Sequence, residues 1–176
     1  PILDKSHLGF ILKEDTLAGH LEITEALHHS FSGTWEQIWG EDRIVENNYH
    51  EMTIRVQKTS APKRKFNVVF RLFNDGFGFR YEFPEQEALK DFVIMDELTE
   101  FALTGDHKAW SIPYEAHFYE ALYEASPVSK LGWVSTPLTM ETNDGLFLSI
   151  HEANLTDYAA MNLIPKDGSM TLKANL

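Results

Sequence analysis

The chain has 176 residues, of which 43% are hydrophobic and 12% aromatic, a composition that suits one domain with a core and excludes a disordered segment. Its 27 acidic and 15 basic residues leave a formal net charge of −12, which repels nucleic-acid phosphates and anionic lipid and argues against either as a partner. The absence of cysteine excludes disulfides, thiolate metal sites and a cysteine nucleophile, and no apolar run approaches the roughly 20 residues that span a bilayer.

The chain starts at Pro1 rather than Met, as expected of a cut piece or a processed protein. Leu17–His29 fits a helix by its apolar spacing. From there on, two-residue alternation dominates. Met52, Ile54 and Val56 alternate with Thr53, Arg55 and Gln57; Phe66, Val68, Phe70 and Leu72 form a second strand, with Val69 and Phe73 adding apolar groups to its other face. Asn74-Asp75-Gly76 then predicts a hairpin turn, because Asp-Gly tolerates the positive φ of tight hairpins. Phe77, Phe79, Tyr81 and Phe83 follow on one face, with Gly78, Arg80 and Glu82 on the other.

Further strands are predicted at Phe92–Glu97, Thr99–Leu103, Gly132–Val134, Leu138–Glu141, Gly145–Glu152 and Met170–Ala174. Asp-Gly pairs at 144–145 and 167–168, and prolines 84, 113, 127, 137 and 165, punctuate them. Tyr114–Glu124 suits either a strand or a helix. Many short strands with regular turns predict an antiparallel sandwich or barrel in a single domain spanning 1–176, with free-edge pairing to another chain where a terminal strand lacks its neighbour.

Several side chains invite a chemical reading. If the strand at 145–152 runs to its end, Glu152 extends the apolar row Leu146, Leu148, Ile150, and a carboxylate so placed must reach water, a basic partner or a metal. If the strand stops at Ile150, Glu152 is simply exposed. Arg71 and Arg80 sit on strands beside acidic residues and read as structural ion pairs. His28, His29 and His50 lack the H-E-x-x-H pattern and a suitably spaced third histidine, so zinc is discounted. Trp35, Trp39, Trp110 and Trp133 offer faces for sugar stacking or for core packing, with Trp110 the best placed. There is no nucleophile elbow and no glycine-rich phosphate loop.

The run Phe70-Arg71-Leu72-Phe73-Asn74-Asp75-Gly76-Phe77-Gly78-Phe79-Arg80-Tyr81 resembles the FRxxNDGxAFRY signature of glycoside hydrolase family 97, departing from it at Gly78. Other matching pieces occur in the same order: Leu8-Gly9-Phe10, Asn48-Tyr49-His50-Glu51, Glu97-Leu98-Thr99-Glu100-Phe101, Trp110 with Pro113, Tyr119-Glu120, Thr136-Pro137-Leu138-Thr139, and Ile150 through Tyr158.

The resemblance implies the amino-terminal super-β-sandwich, of galactose-mutarotase-like fold, of a bacterial, exo-acting, calcium-dependent α-glucosidase or α-galactosidase. The family's central (β/α)8 barrel, which carries the catalytic carboxylates, is not in this chain, so the chain by itself is expected to be inactive. It also implies that Glu152, in an E-A-x-L-x-x-Y segment, gives one ligand to an active-centre calcium, with an empty or very weak site in this chain alone. Asn74 and Asp75 resemble a sugar-contacting pair, although the hairpin turn accounts for both.

Expected partners are the enzyme's own barrel and an α-linked oligosaccharide, and the expected location is the bacterial periplasm or outside the cell. The exposed barrel-facing surface is a candidate for self-association. The alternatives are a free-standing carbohydrate-binding sandwich using Trp110 or Trp35, and a mutarotase-like epimerase, which needs a histidine facing Glu152.

Overall fold

The computed structural model describes residues 2–118, 120–166 and 168–176. In chain order the strands are β1 (Phe10–Leu12), β2 (Thr16–Leu17), β3 (Leu21–Glu36), β4 (Ile44–Lys58), β5 (Lys65–Leu72), β6 (Phe77–Glu82), β7 (Ile94–Glu97) and β8 (Glu100–Ala102). They continue as β9 (Lys108–Ser111), β10 (Glu124–Pro127), β11 (Val134–Ser135), β12 (Leu138–Glu141), β13 (Phe147–Ile150), β14 (Asn162–Pro165) and β15 (Thr171–Asn175). Helix is confined to two single 3-10 turns, Glu87–Leu89 and Val128–Lys130, among the described residues. The fold is all-β and antiparallel, of the β-sandwich class, as the alternation predicts.

Two compact units divide the chain: Gly19–Phe92, and Pro1–Ala18 together with Val93–Leu176. The first is one sheet in the order β3-β4-β5-β6. Its register pairs Met52 with Phe70, Ile54 with Val68 and Val56 with Phe66, and continues Val68 to Tyr81 and Phe70 to Phe79. The apolar residues read from alternation therefore share one face. Phe66, Val68 and Val56 are buried, and the Phe70 and Phe79 rings lie 5.7 Å apart. Val69, on the opposite face, is buried too, which explains why β5 reads as apolar on both sides. The β5–β6 turn closes through the Phe73 amide on the Gly76 carbonyl at 2.8 Å, without positive φ at Gly76; the left-handed glycines of Asp-Gly turns are Gly145 and Gly168.

Leu17–His29 is not a helix. Its residues form β2 and the first half of β3, which pairs with β4 along its whole length, from Leu21↔Lys58 to Glu36↔Ile44. A bulge between Ile23 and Glu25 inserts Thr24, whose hydroxyl donates to the Arg55 carbonyl at 3.2 Å. Ile23 then pairs with Val56 and Leu27 with Thr53, so two apolar residues four apart face opposite sides of the sheet. That bulge shifts the two-residue period, so the alternation that marks a strand is lost over this stretch.

The second unit holds three sheets, ordered β2-β1-β7, β10-β9-β12-β13 and β11-β14-β15-β8. Phe10, Leu17, Leu138, Met140, Leu163 and Leu172 are fully buried and form its core. Of the ambiguous stretch Tyr114–Glu124, only Glu124 is in a strand among the described residues; Tyr119 and Asp167, each part of a sequence expectation, lie outside them.

Candidate functional site

The strand predicted over Gly145–Glu152 is shorter than expected, covering Phe147–Ile150. The reason lies in its partner. Ile150 pairs with Leu138, and the next residue back is Pro137, which has no N–H to extend the ladder. Glu152 therefore sits two residues past the strand rather than in its apolar row. It is half-buried, and its carboxylate has no hydrogen bond or ion pair among the described residues.

The loop after Glu152 is fixed at Asp157 and Tyr158. Asp157 adopts φ 53°, a left-handed conformation that Asp accepts better than most residues. The Tyr158 hydroxyl donates to Glu97 Oε2 at 2.9 Å, while Thr99 donates to Glu97 Oε1 at 2.5 Å. Glu97 ends β7 and is buried, so the loop is tied to a rigid strand. Sequence reasoning assigns Glu97 no role. Alternation shows only that Asp96 and Glu97 point to opposite faces; the fold turns Glu97 inward and leaves Asp96 to accept from Lys173 at 2.6 Å.

Trp110 lies on β9, half-buried, on the same sheet face as Phe147. The two rings stack with centroids 6.0 Å apart, and the Lys108 ammonium sits 4.5 Å from the indole centroid. Trp133 stacks on Tyr114 at 4.4 Å and donates its indole N–H to Asn162. Trp35 and Trp39 are exposed.

Asn74 and Asp75 are exposed in the β5–β6 turn. Asn74 lines a cleft of about 370 Å³ together with Phe31, Asn48, Tyr49 and Phe73. Tyr49 is covered on both sides, since Phe31 stacks on it at 5.5 Å and the Arg71 guanidinium lies 4.3 Å from its centroid. Arg71 also donates to Glu51 at 2.7 Å, and Arg80 reaches Glu82 with two N–H groups at 2.9 and 2.6 Å. Both arginines are in ion pairs, as the sequence suggests. His50 is engaged by the Ser30 hydroxyl at 2.8 Å, on the sheet face opposite Glu51. No group of three or more His, Asp or Glu side chains is arranged to hold a metal among the described residues.

The carboxyls of Glu100, Asp106 and Asp144 are held below their ordinary range. Burial alone raises that of Glu100, but hydrogen bonds from Lys166 at 2.8 Å and His7 at 2.7 Å outweigh it. Asp106 is lowered by the Ser129 backbone amide and hydroxyl, and Asp144 by the Thr142 hydroxyl and its own amide. His107 is 6% exposed, and neither ring nitrogen has a hydrogen-bond partner among the described residues.

The profile of the glycosyl-hydrolase 97 N-terminal family matches residues 1–175. A glycoside hydrolase family 97 enzyme from Pseudoalteromonas sp. strain K8, solved with acarbose and, as an E480Q variant, with panose, superposes with a TM-score of 0.95 at 36% identity. That superposition covers 99% of this chain and 27% of that one. A retaining α-galactosidase of Bacteroides thetaiotaomicron is 26% identical over 145 residues, which are 74% of this chain and 20% of that protein. A β-arabinopyranosidase structure, 20% identical, shares the fold with a TM-score of 0.88 over 99% of this chain and 30% of its own. The chain thus spans about a quarter of the length of the relatives it matches.

Proposed function

Because the chain belongs to the glycosyl-hydrolase 97 N-terminal family, we propose that it is the amino-terminal β-sandwich domain of a calcium-dependent, exo-acting α-glycosidase whose catalytic carboxylates lie on a separate (β/α)8 barrel. The observation that carries this reading is the match along essentially the whole chain, with a solved family 97 enzyme superposing at a TM-score of 0.95. The acarbose and panose bound by that enzyme, and the retaining α-galactosidase activity of the other relative, support an α-linked oligosaccharide as substrate. The family assignment also favours the periplasm or the extracellular space, and no helix among the described residues is long and apolar enough to cross a membrane.

The domain's chemical share is Glu152. A half-buried carboxylate without a hydrogen bond among the described residues has its oxygens available to a cation. Calcium takes about six to eight oxygens, and the described residues gather no such set, so the remaining ligands are assigned to the barrel. When bound, the ion supplies positive charge beside the reacting sugar. The Tyr158–Glu97 bond positions the loop that presents Glu152. Asn74 and Asp75 in their turn, and Trp110 on its sheet face, are the candidate sugar contacts of this domain.

The test is hydrolysis by the full-length enzyme of chromogenic α- and β-glycosides, with and without chelator. The reading expects α-selective hydrolysis that chelation abolishes and calcium restores. Activity on β-glycosides, or activity indifferent to chelation, overturns it.

A further inference from the structure

An Asp-Gly pair sets a side-chain carboxyl beside a main-chain amide that no Cβ shields, so the amide nitrogen can attack the carboxyl carbon. The chain has three such pairs, at 75–76, 144–145 and 167–168, and Asp167 lies outside the described residues. The other two are held very differently. In the turn between β12 and β13, the Asp144 carboxylate accepts from the Thr142 hydroxyl at 2.6 Å, and the Gly145 amide donates to the Thr142 carbonyl at 3.0 Å. Both reacting groups of that pair are therefore tied to one residue. The Thr142 hydroxyl, and after it the Asp144 amide, also keep this carboxyl below its ordinary range, and an ionised carboxylate is the poorer electrophile. In the turn between β5 and β6, Asp75 and Gly76 are both exposed. There the Asp75 carboxylate accepts no hydrogen bond and the Gly76 amide donates none among the described residues. The bond that closes this turn, from the Phe73 amide at 2.8 Å, falls on the Gly76 carbonyl, which takes no part in the attack.

We propose that Asp75-Gly76 is a site of spontaneous main-chain isomerisation, from which Asp144-Gly145 is protected. The Gly76 nitrogen bonds to Asp75 Cγ, and the carboxyl hydroxyl leaves as water with the amide proton. The cyclic imide so formed then takes up one water. Opening at Cγ restores aspartate. Opening at the main-chain carbonyl of Asp75 leaves the chain running through Cγ, as isoaspartate. The water released is the water regained, so no oxidant or cofactor is needed. The product adds one methylene to the backbone between Leu72 and Phe77, which pair in register, and it moves the carboxylate at position 75. The site follows from the turn alone and does not depend on the glycosidase reading.

Peptide mapping of the full-length enzyme, sampled over time in neutral buffer with isoaspartate located by electron-transfer fragmentation, tests this. Isoaspartate is expected to accumulate at position 75 about tenfold or more faster than at 144, because two hydrogen bonds must break before Gly145 can attack Asp144. Gly76→Ala is expected to suppress conversion at 75 while the protein stays folded, since Gly76 has no positive φ and a Cβ there meets nothing within 4 Å. Thr142→Val is expected to raise conversion at 144. No isoaspartate at 75, or conversion at 144 as fast as at 75 in the parent, overturns the proposal. So does a Gly76→Ala enzyme that converts as fast as its parent, or a Thr142→Val enzyme with an unchanged rate at 144.

Discussion

The Tyr158 hydroxyl donates to Glu97 at 2.9 Å, fastening the irregular segment that follows Glu152 to a buried carboxylate at the end of β7. Removing only that hydroxyl, in Tyr158→Phe, takes the donor from Glu97 Oε2 while Thr99 still donates to Oε1. The expected cost is about 1–3 kcal/mol, the penalty for leaving a buried polar group short of a hydrogen bond. Urea denaturation of the variant against the parent measures it, and an unchanged midpoint would show that the bond contributes nothing.

His107 leads to the opposite sign. Its ring is buried with both nitrogens unpartnered among the described residues, so the parent already carries a desolvation cost. His107→Leu removes those polar atoms while keeping an apolar side chain of similar reach. Stability is expected to stay level or to rise by about 1–2 kcal/mol. A clear loss on thermal melting would mean that the imidazole has a partner it cannot spare.

The fold is expected to weaken in acid. Glu100, Asp106 and Asp144 have folded-state carboxyls below their ordinary values of 4.5 for Glu and 3.8 for Asp. A depressed carboxyl stabilises the fold fully above its unfolded value, and that stability is lost as pH falls through the folded value. Melting temperature should therefore be level near about pH 6 and decline below about pH 4.5. Glu100→Gln should flatten part of that decline, because it removes the proton uptake at this site. An identical pH profile in the variant would assign the decline to other groups.

Leu172 is fully buried on β15, between β14 and β8 in its sheet. Leu172→Ala is expected to cost about 2–5 kcal/mol, combining the lost burial with the cavity left behind. The exposed-face change Phe147→Ala serves as its control, since Phe147 is 61% exposed and stacks on the half-buried Trp110 ring. Comparable losses for the two would mean that the outward aromatic pair matters as much as the core.

The alternation of Met52, Ile54 and Val56 with the Phe-rich rows of β5 and β6 was enough to give that sheet from sequence, because one of its faces is buried and period two survives. β3 was illegible for a definite reason: the bulge at Thr24 breaks the period, and its mostly exposed side chains leave no one-sided apolar row. The short β9 and β14 are not legible because their apolar residues are adjacent, Ala109 with Trp110 and Leu163 with Ile164, so neither shows the alternation that marks β12. At the candidate site, Glu152 was visible as a carboxylate after an apolar run. The stop at Pro137 that takes it out of the strand, and the Glu97–Tyr158 anchor 61 residues apart in sequence, depend on pairings that no local pattern encodes.

The central claim is that Glu152 is this domain's ligand to a calcium completed elsewhere in the enzyme, and calcium titration of full-length Glu152→Gln tests it most directly. Half-maximal hydrolysis of an α-glycoside should require at least the ~10-fold more calcium that loss of even a supporting group at a metal site costs, with activity recovering at saturation. A calcium dependence identical to that of the parent enzyme would contradict the account.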